Sequence, residues 1–562
     1  MSFGARAAAV LFVSLVLAAL STTMANAQVI PPGELPGRER QRFVQPSAPQ
    51  AQPRGPVVTL PSTIAPDGAD KLFLRVRGVK ITGSTVYAPD ELRPLYADLI
   101  GHRVSLAFLY ALAQKITAKY GNDGYVLSRA IVPPQQLDPR GAVVQIEIIE
   151  GYIDKVEWPK QLSRYRNFFS DYAARITAQR PINIRTIERY LLLADDLPGL
   201  KFSTSLRPSK HARGAATLVV TVVEKRLDAV AHIDNRGTPA RGPFEYFGSA
   251  TVNNLLGGHE AWTFTYAGVV PLDELSYAAL GYRQVLTSQG LTFFADGSDA
   301  WGTPGTVALE QLLYRTLGPY GEAGLSYPFI RSRETNLTLS GLFYGSDNES
   351  DVLGASFNDD RLRGFRGKVD SDFADTFQGV NQINVTVSQG VEGLGSTDNG
   401  NPLASRLAGR VDFDKIELTA SRTQPLFGHL SAFASAYGQY AGTPLLVPEQ
   451  CGFGGRYFGR AYDPSELLGD SCIEGVGELR YTVAPQLLKF AQSVQIYTFA
   501  DFGQLYTRDA SVGTPAAQKA ASAGGGVRIS WLYNVDADLS IAKAIQGPRS
   551  DERFFFILTA HN

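Results

Sequence analysis

After residue 27 the sequence has no run of about 18 apolar residues, so no later segment can cross a bilayer as a helix. Its charges nearly cancel, with 53 Lys+Arg against 54 Asp+Glu, which leaves no global basic field to hold nucleic acid. The six histidines, His102, His211, His232, His259, His429 and His561, show no metal-ligand spacing, and the cysteines do not form a Cys-x-x-Cys pair. No metal and no cofactor is implied. A phosphate loop, a dinucleotide fingerprint and a nucleophile elbow are all missing, which argues against an enzyme.

Methionine (2) and tryptophan (4) are scarce, while glycine (55), tyrosine (25) and phenylalanine (30) are plentiful. That balance favours strands, turns and aromatic interfaces. The first 27 residues carry Arg6, an apolar stretch from Ala7 to Leu20 and the small-residue ending Ala25-Asn26-Ala27, the three parts of a secretory signal peptide. A secreted chain meets an oxidising compartment, so its only two cysteines, Cys451 and Cys472, are candidates for one disulfide; the alternative is two free thiols.

Residues 28–70 are rich in Pro, Gln and Arg and lack the apolar spacing of a core, so they read as a tether. Within it, Arg38-Glu39-Arg40-Gln41-Arg42 favours a short helix over Gly37–Phe43, a candidate plug. From Lys71 to Ile153 the pattern is a small α/β domain. Leu72–Val79 alternates as a strand, and Leu109, Leu112, Ile116 and Tyr120 share one face of a helix capped by Ser105. Strands are expected at Tyr125–Val132 and Val143–Ile149. Residues 154–226 repeat that order: a strand at Lys155–Glu157, helices at Tyr165–Ala178 and Ile184–Asp195, and strands at Lys201–Leu206 and Thr217–Val223.

Beyond Arg226 the texture becomes short period-two segments separated by Gly, Asn, Asp, Pro and Ser up to the last residue. Ile383, Val385 and Val387 alternate with polar neighbours; Val494, Ile496, Ala500 and Phe502 alternate with Ser493, Gln495, Phe499 and Asp501. So long a helix-free alternation behind a secretory signal predicts a transmembrane antiparallel β-barrel over 227–562. At about 20 residues per strand and connection it has about 16 strands.

Several motifs then resemble the outer-membrane transporters of two-partner secretion, the haemolysin secretion/activation family. Gly124-Tyr125, Pro133-Pro134-Gln135 and Glu150-Gly151-Tyr152-Ile153 are similar to its first polypeptide-transport-associated (POTRA) domain. Asp196-Leu197-Pro198-Gly199, Leu206-Arg207-Pro208 and Thr217-Leu218-Val219-Val220 are similar to its second. Asp234-Asn235-Arg236-Gly237, Gly242 and Asn253-Asn254-Leu255-Leu256-Gly257 resemble the barrel entry, with Gly258-His259-Glu260 where the family has Gly-Asp.

Phe453-Gly454-Gly455 and Gly459-Arg460-Ala461-Tyr462-Asp463 resemble the family's motif in the long sixth surface loop, and Phe499-Ala500-Asp501-Phe502-Gly503 resembles its partner-strand motif Phe-x-Asp-x-Gly. Ala461 stands where the family has Gly, and Gly459 where it has Val; a positive φ at 461 would strain an alanine. The resemblance implies that this loop folds into the pore and that Arg460 pairs with Asp501. It also implies a secreted exoprotein client with an N-terminal secretion domain, contact with outer-membrane lipid, and periplasmic N-terminal domains. Two alternatives stay open: a barrel-assembly factor, which normally has more than two such domains, and a passive porin, which has none.

Overall fold

The structure, a computed structural model, describes residues 30–43, 48–53, 64–209, 212–484, 491–510, 515–531 and 534–562. The signal segment expected over 1–27 lies outside the described residues. Among those residues no helix is long and apolar enough to cross a membrane.

Two small α/β units precede a barrel. In the first, strand Phe73–Thr82 runs parallel to Ala142–Ile149, which pairs antiparallel with the short strand Arg129–Ile131. Helix Leu106–Asn122 lies across the sheet because Leu109, Leu112, Ile116 and Tyr120 recur at helical spacing, and all four are buried against Val76, Val144 and Ile146. In the second unit, strand Tyr152–Glu157 runs parallel to Ala215–Glu224, which pairs antiparallel with Leu200–Pro208. The parallel and antiparallel pairing of the first sheet thus recurs.

Several boundaries differ from the sequence reading: the helix expected from Tyr165 starts at Phe169, after a 3-10 turn at Lys160–Arg164, and two others have a structural reason. The second sheet starts at Tyr152 rather than Lys155, because Ile153 is buried in the second core beside Val156 and Leu218. The strand expected over Tyr125–Val132 shrinks to Arg129–Ile131, and the carbonyls of Tyr120 and Tyr125 accept local turn hydrogen bonds from the N–H groups of Tyr125 and Ser128.

Sixteen antiparallel strands close the barrel. The first eight are β1 (Leu227–Asp234), β2 (Phe244–Asn253), β3 (Glu260–Val270), β4 (Ser276–Val285), β5 (Thr292–Gly302), β6 (Tyr320–Arg331), β7 (Thr335–Val352) and β8 (Ala355–Ala374). The rest are β9 (Val380–Gly390), β10 (Asp414–Pro425), β11 (Leu430–Ala441), β12 (Ser471–Thr482), β13 (Ala491–Tyr506), β14 (Ala517–Trp531), β15 (Val535–Gln546) and β16 (Glu552–His561). A three-residue segment, Arg315–Leu317, inserts beside β5 and β7. The wall closes where β16 pairs with β1, from Ile557 opposite Asp234 to His561 opposite Val230.

Alternation sorts the side chains. On β13, Tyr497, Phe499, Asp501, Gly503 and Leu505 point into the barrel, while Ile496 (49 % exposed) and Phe502 (55 %) point out, as a lipid-facing wall requires.

The second small unit is bolted to one rim of the barrel by motifs that are far apart in sequence. Asn254 Nδ2 donates to the Pro198 carbonyl, Arg331 grips Asp196 at 2.7 and 2.8 Å, and the Arg166 N–H donates to the Gly257 carbonyl at 2.8 Å. His259, at the departure from the family pattern, is buried in this joint. Its Nε2 lies 2.7 Å from the Arg166 carbonyl, and its ring centre is 4.9 Å from that of Phe168. Burial pushes the His259 imidazole below its usual pKa.

Candidate functional site

Residues 442–470 join β11 to β12 and turn back into the lumen instead of standing above the rim. The base of this loop is a two-stranded hairpin, Cys451–Phe453 against Leu467–Gly469. Cys451 is disulfide-bonded to Cys472 on β12, which ties that hairpin to the wall.

The tip turns on glycines. Gly454, Gly455 and Gly459 have φ of 120°, 114° and 70°, a region that side chains rarely adopt. A Cβ on Gly459 would lie 2.5 Å from the Phe453 ring. Ala461 is fully buried and is not among the positive-φ residues, so the strain considered for an alanine at 461 does not arise; the left-handed position is two residues earlier.

Arg460 lies between loop and wall. Its Nη2 is 2.9 Å from Asp501 Oδ1, its backbone N–H donates to Asp501 Oδ2 at 2.9 Å, and its Nη1 is 2.6 Å from Glu478 Oε1. The guanidinium carbon sits 3.5 Å from the centre of the Phe499 ring. Ser522 Oγ donates to Asp501 at 3.0 Å, while Arg480 and Arg528 reach Glu478 at 2.7 and 3.2 Å. Arg528 also meets Asp538 at 3.1 Å. Arg460, Arg480 and Arg528 thus balance Glu478, Asp501 and Asp538. A planar, permanently charged fork suits such a position, because it holds two carboxylates at once in a fixed plane.

The remaining motif residues shape the contact. Tyr462 packs on Phe453, ring centres 5.5 Å apart, and its hydroxyl donates to the carbonyls of Gln546 and, at 3.3 Å, Ala521. Gly503 is glycine for a steric reason: a Cβ there would meet the Phe453 ring at 2.3 Å. Asp463 extends the contact to Arg553 at 2.8 Å and to Arg549.

A second element occupies the lumen. The helix expected over Gly37–Phe43 is observed as α1 (Glu39–Phe43), preceded by a 3-10 turn at Pro32–Glu34. Arg241, in the loop after β1, holds both of its carboxylates, Glu34 and, at 3.0 Å, Glu39. Thr238 donates to Glu34 at 2.8 Å, and Phe43 stacks on Tyr277 of β4 at 5.3 Å. Arg38 reaches across to the sixth loop, donating to the Gln450 carbonyl at 2.6 Å and to Ser465 Oγ at 2.8 Å.

Sequence reasoning did not single out Glu478, Arg241 or Gly503's packing role. Polar residues occupy inward positions all round the barrel, so no local signal marks which will pair. Among the described residues no cluster of three or more His, Cys, Asp or Glu is placed to hold a metal ion.

The profile of the haemolysin secretion/activation proteins ShlB/FhaC/HecB matches residues 214–529, and that of the ShlB-type POTRA domain matches residues 74–151. The chain belongs to the haemolysin secretion/activation family. As a member of that family it is an outer-membrane transporter of two-partner secretion, with periplasmic N-terminal domains and a barrel through which an exoprotein is exported. The family is one of transporters and not of enzymes.

The outer membrane transporter CdiB of Dickeya dadantii is 24% identical over 478 residues, covering 81% of each chain. The heme/hemopexin transporter protein HuxB of Haemophilus influenzae is 26% identical over 233 residues, covering 41% of this chain and 38% of that one. The solved structure of CdiB from Escherichia coli shares the fold, with a TM-score of 0.69 at 18% identity over 90% of this chain and 94% of the other.

Proposed function

We propose that this transporter takes up an unfolded exoprotein as an added strand on its second periplasmic domain. The client then passes through a lumen that α1 vacates and in which the sixth loop stays pinned through Arg460. The observation that carries this reading is an open sheet edge beside the barrel mouth. Strand Leu200–Pro208 pairs on one side only, and its residues from Ser203 to Pro208 are exposed. The Phe202 N–H is taken by Asp195 Oδ1 at 2.6 Å, so strand alternation turns the N–H and C=O groups of Thr204 and Leu206 outward. An extended client bonds to such groups irrespective of its side chains, which suits a carrier of a long unfolded chain.

The first domain offers less. Its edge strands, Arg103–Ser105 and Arg129–Ile131, have three residues each, and beyond the second the Gln135 amide occupies both the N–H and the C=O of Gln145 at 2.8 Å. A freely conducting solute porin is disfavoured because two elements of the chain fill the lumen.

Replacing Thr204 or Leu206 by proline removes an outward N–H while leaving the ladder to Ala215–Glu224 in place. The expected outcome is a several-fold fall in photocrosslinking of the client to this edge and in its appearance in the medium, at unchanged barrel levels. Undiminished crosslinking and secretion in both variants would discard the edge as the receiving site.

A further inference from the structure

The outer wall of the barrel carries a feature that export does not explain. At the ends of β10 to β13 remote from the periplasmic domains lies an apolar depression of about 640 Å³, lined by Ile416, Leu418, Gly438, Ile473 and Tyr506. Gly438 forms its floor, level with Leu418 on one neighbouring strand and Ile473 on the other. All of this is membrane-facing wall: the alternate residues Gln439 and Cys472 are buried on the lumen side.

A cation is fixed at the mouth of the depression. Arg508 follows β13 and is exposed; its Nε donates to the Ala441 carbonyl at 3.0 Å and its Nη2 to the Tyr440 hydroxyl at 3.4 Å. Its own backbone N–H is anchored on Asp470 at 2.7 Å. No carboxylate of the described residues pairs with its guanidinium. One cation facing the membrane above a furrow, flanked by the aromatic rings of Tyr440 and Tyr506, forms a place for an anionic headgroup over an acyl chain.

We infer that this depression is a specific lipid site, and that its occupant is a phosphate-bearing, multiply acylated lipid of the outer leaflet. An acyl chain lies over Gly438 between Leu418 and Ile473, and a phosphate meets Arg508. Charge complementarity decides the occupant. A zwitterionic phospholipid brings a cation of its own to Arg508, whereas a phosphorylated headgroup brings only the missing anion. The position at the extracellular rim selects the outer leaflet.

The test is native mass spectrometry of the full-length, delipidated protein in detergent, with diphosphorylated lipid A as the probe. The same lipid with its phosphates removed and a zwitterionic phospholipid serve as the comparison arms. One retained adduct of the phosphorylated lipid is expected. Its affinity should fall about fivefold in Arg508→Ala, since a cation near such a surface contributes about 1 kcal/mol. Gly438→Phe, which fills the floor, should abolish the adduct; a Cβ there meets only the Cys472 carbonyl at 3.8 Å, so the wall accommodates it. Heat-modified gel migration reports that each variant is a folded barrel. Equal retention of the dephosphorylated lipid, or adducts that survive both substitutions, would overturn the assignment.

Discussion

The two elements inside the lumen are held in different ways. The sixth loop is tied covalently at its base through Cys451 and Cys472, and at its tip Arg460 binds two carboxylates on neighbouring strands. The N-terminal segment ends in a five-residue helix, too short to persist alone, and its two carboxylates converge on one arginine, Arg241. The difference fits the proposed roles, one part to stay and one to leave: the loop has a covalent tie as well as a buried ionic latch, whereas the N-terminal segment is held by hydrogen bonds, ion pairs and ring contacts alone.

The largest effect is expected from Arg460→Ala. It leaves Asp501 and Glu478 buried on the lumen side with one cation fewer, a change that typically costs about 3–5 kcal/mol at such sites. Secretion should fall by an order of magnitude or more while the barrel still shows heat-modified migration. Normal secretion at normal barrel levels would remove the latch from the account.

Arg241→Ala comes next and probes the other element. Freed from Glu34 and Glu39, α1 should leave the lumen more often, raising the open fraction of single pores in planar bilayers several-fold. Pores that stay as closed as the parent would show that the two elements are equally fixed, and the comparison would fail.

A smaller change is expected from Cys451→Ser combined with Cys472→Ser. The bond closes a loop of 21 residues, for which chain entropy predicts about 3 kcal/mol of stability. Resistance to denaturant should drop by that order while secretion stays within about twofold, because Arg460 still holds the tip. Loss of secretion would make the covalent tie, and not the ion pair, the essential one.

The smallest effect concerns the joint at His259. Burial depresses its folded pKa below the unfolded value of about 6.5, so the joint has its full stability above that pH and loses it as the pH falls toward the folded value. Protease accessibility of the joint should rise between pH 7.5 and 5, and His259→Gln should flatten that rise. An unchanged pH profile in the variant would assign the response to another group.

Much of this architecture was legible from residue order. The period-two texture of Ile383–Val387 and Val494–Phe502 marked strands with one lipid face, and the spacing of Leu109, Leu112, Ile116 and Tyr120 marked the helix over the first sheet. The loop motif around Arg460 and the strand motif around Asp501 were visible as separate words, as were Asp196-Leu197-Pro198-Gly199 and Asn253-Asn254, whose meeting at the barrel rim the coordinates show. Illegible were contacts decided by closure of the barrel, such as Glu478 with Arg460 or Arg241 with Glu34. Any inward polar residue reads alike until the wall bends round to bring a partner from far along the chain. The start of the second sheet at Tyr152 was missed because only Glu150-Gly151 separates it from the preceding strand.

The three arginines and three carboxylates around Glu478 cancel. Bringing the sixth loop onto this wall therefore leaves no net charge in this group, and the latch has no uncompensated field behind it.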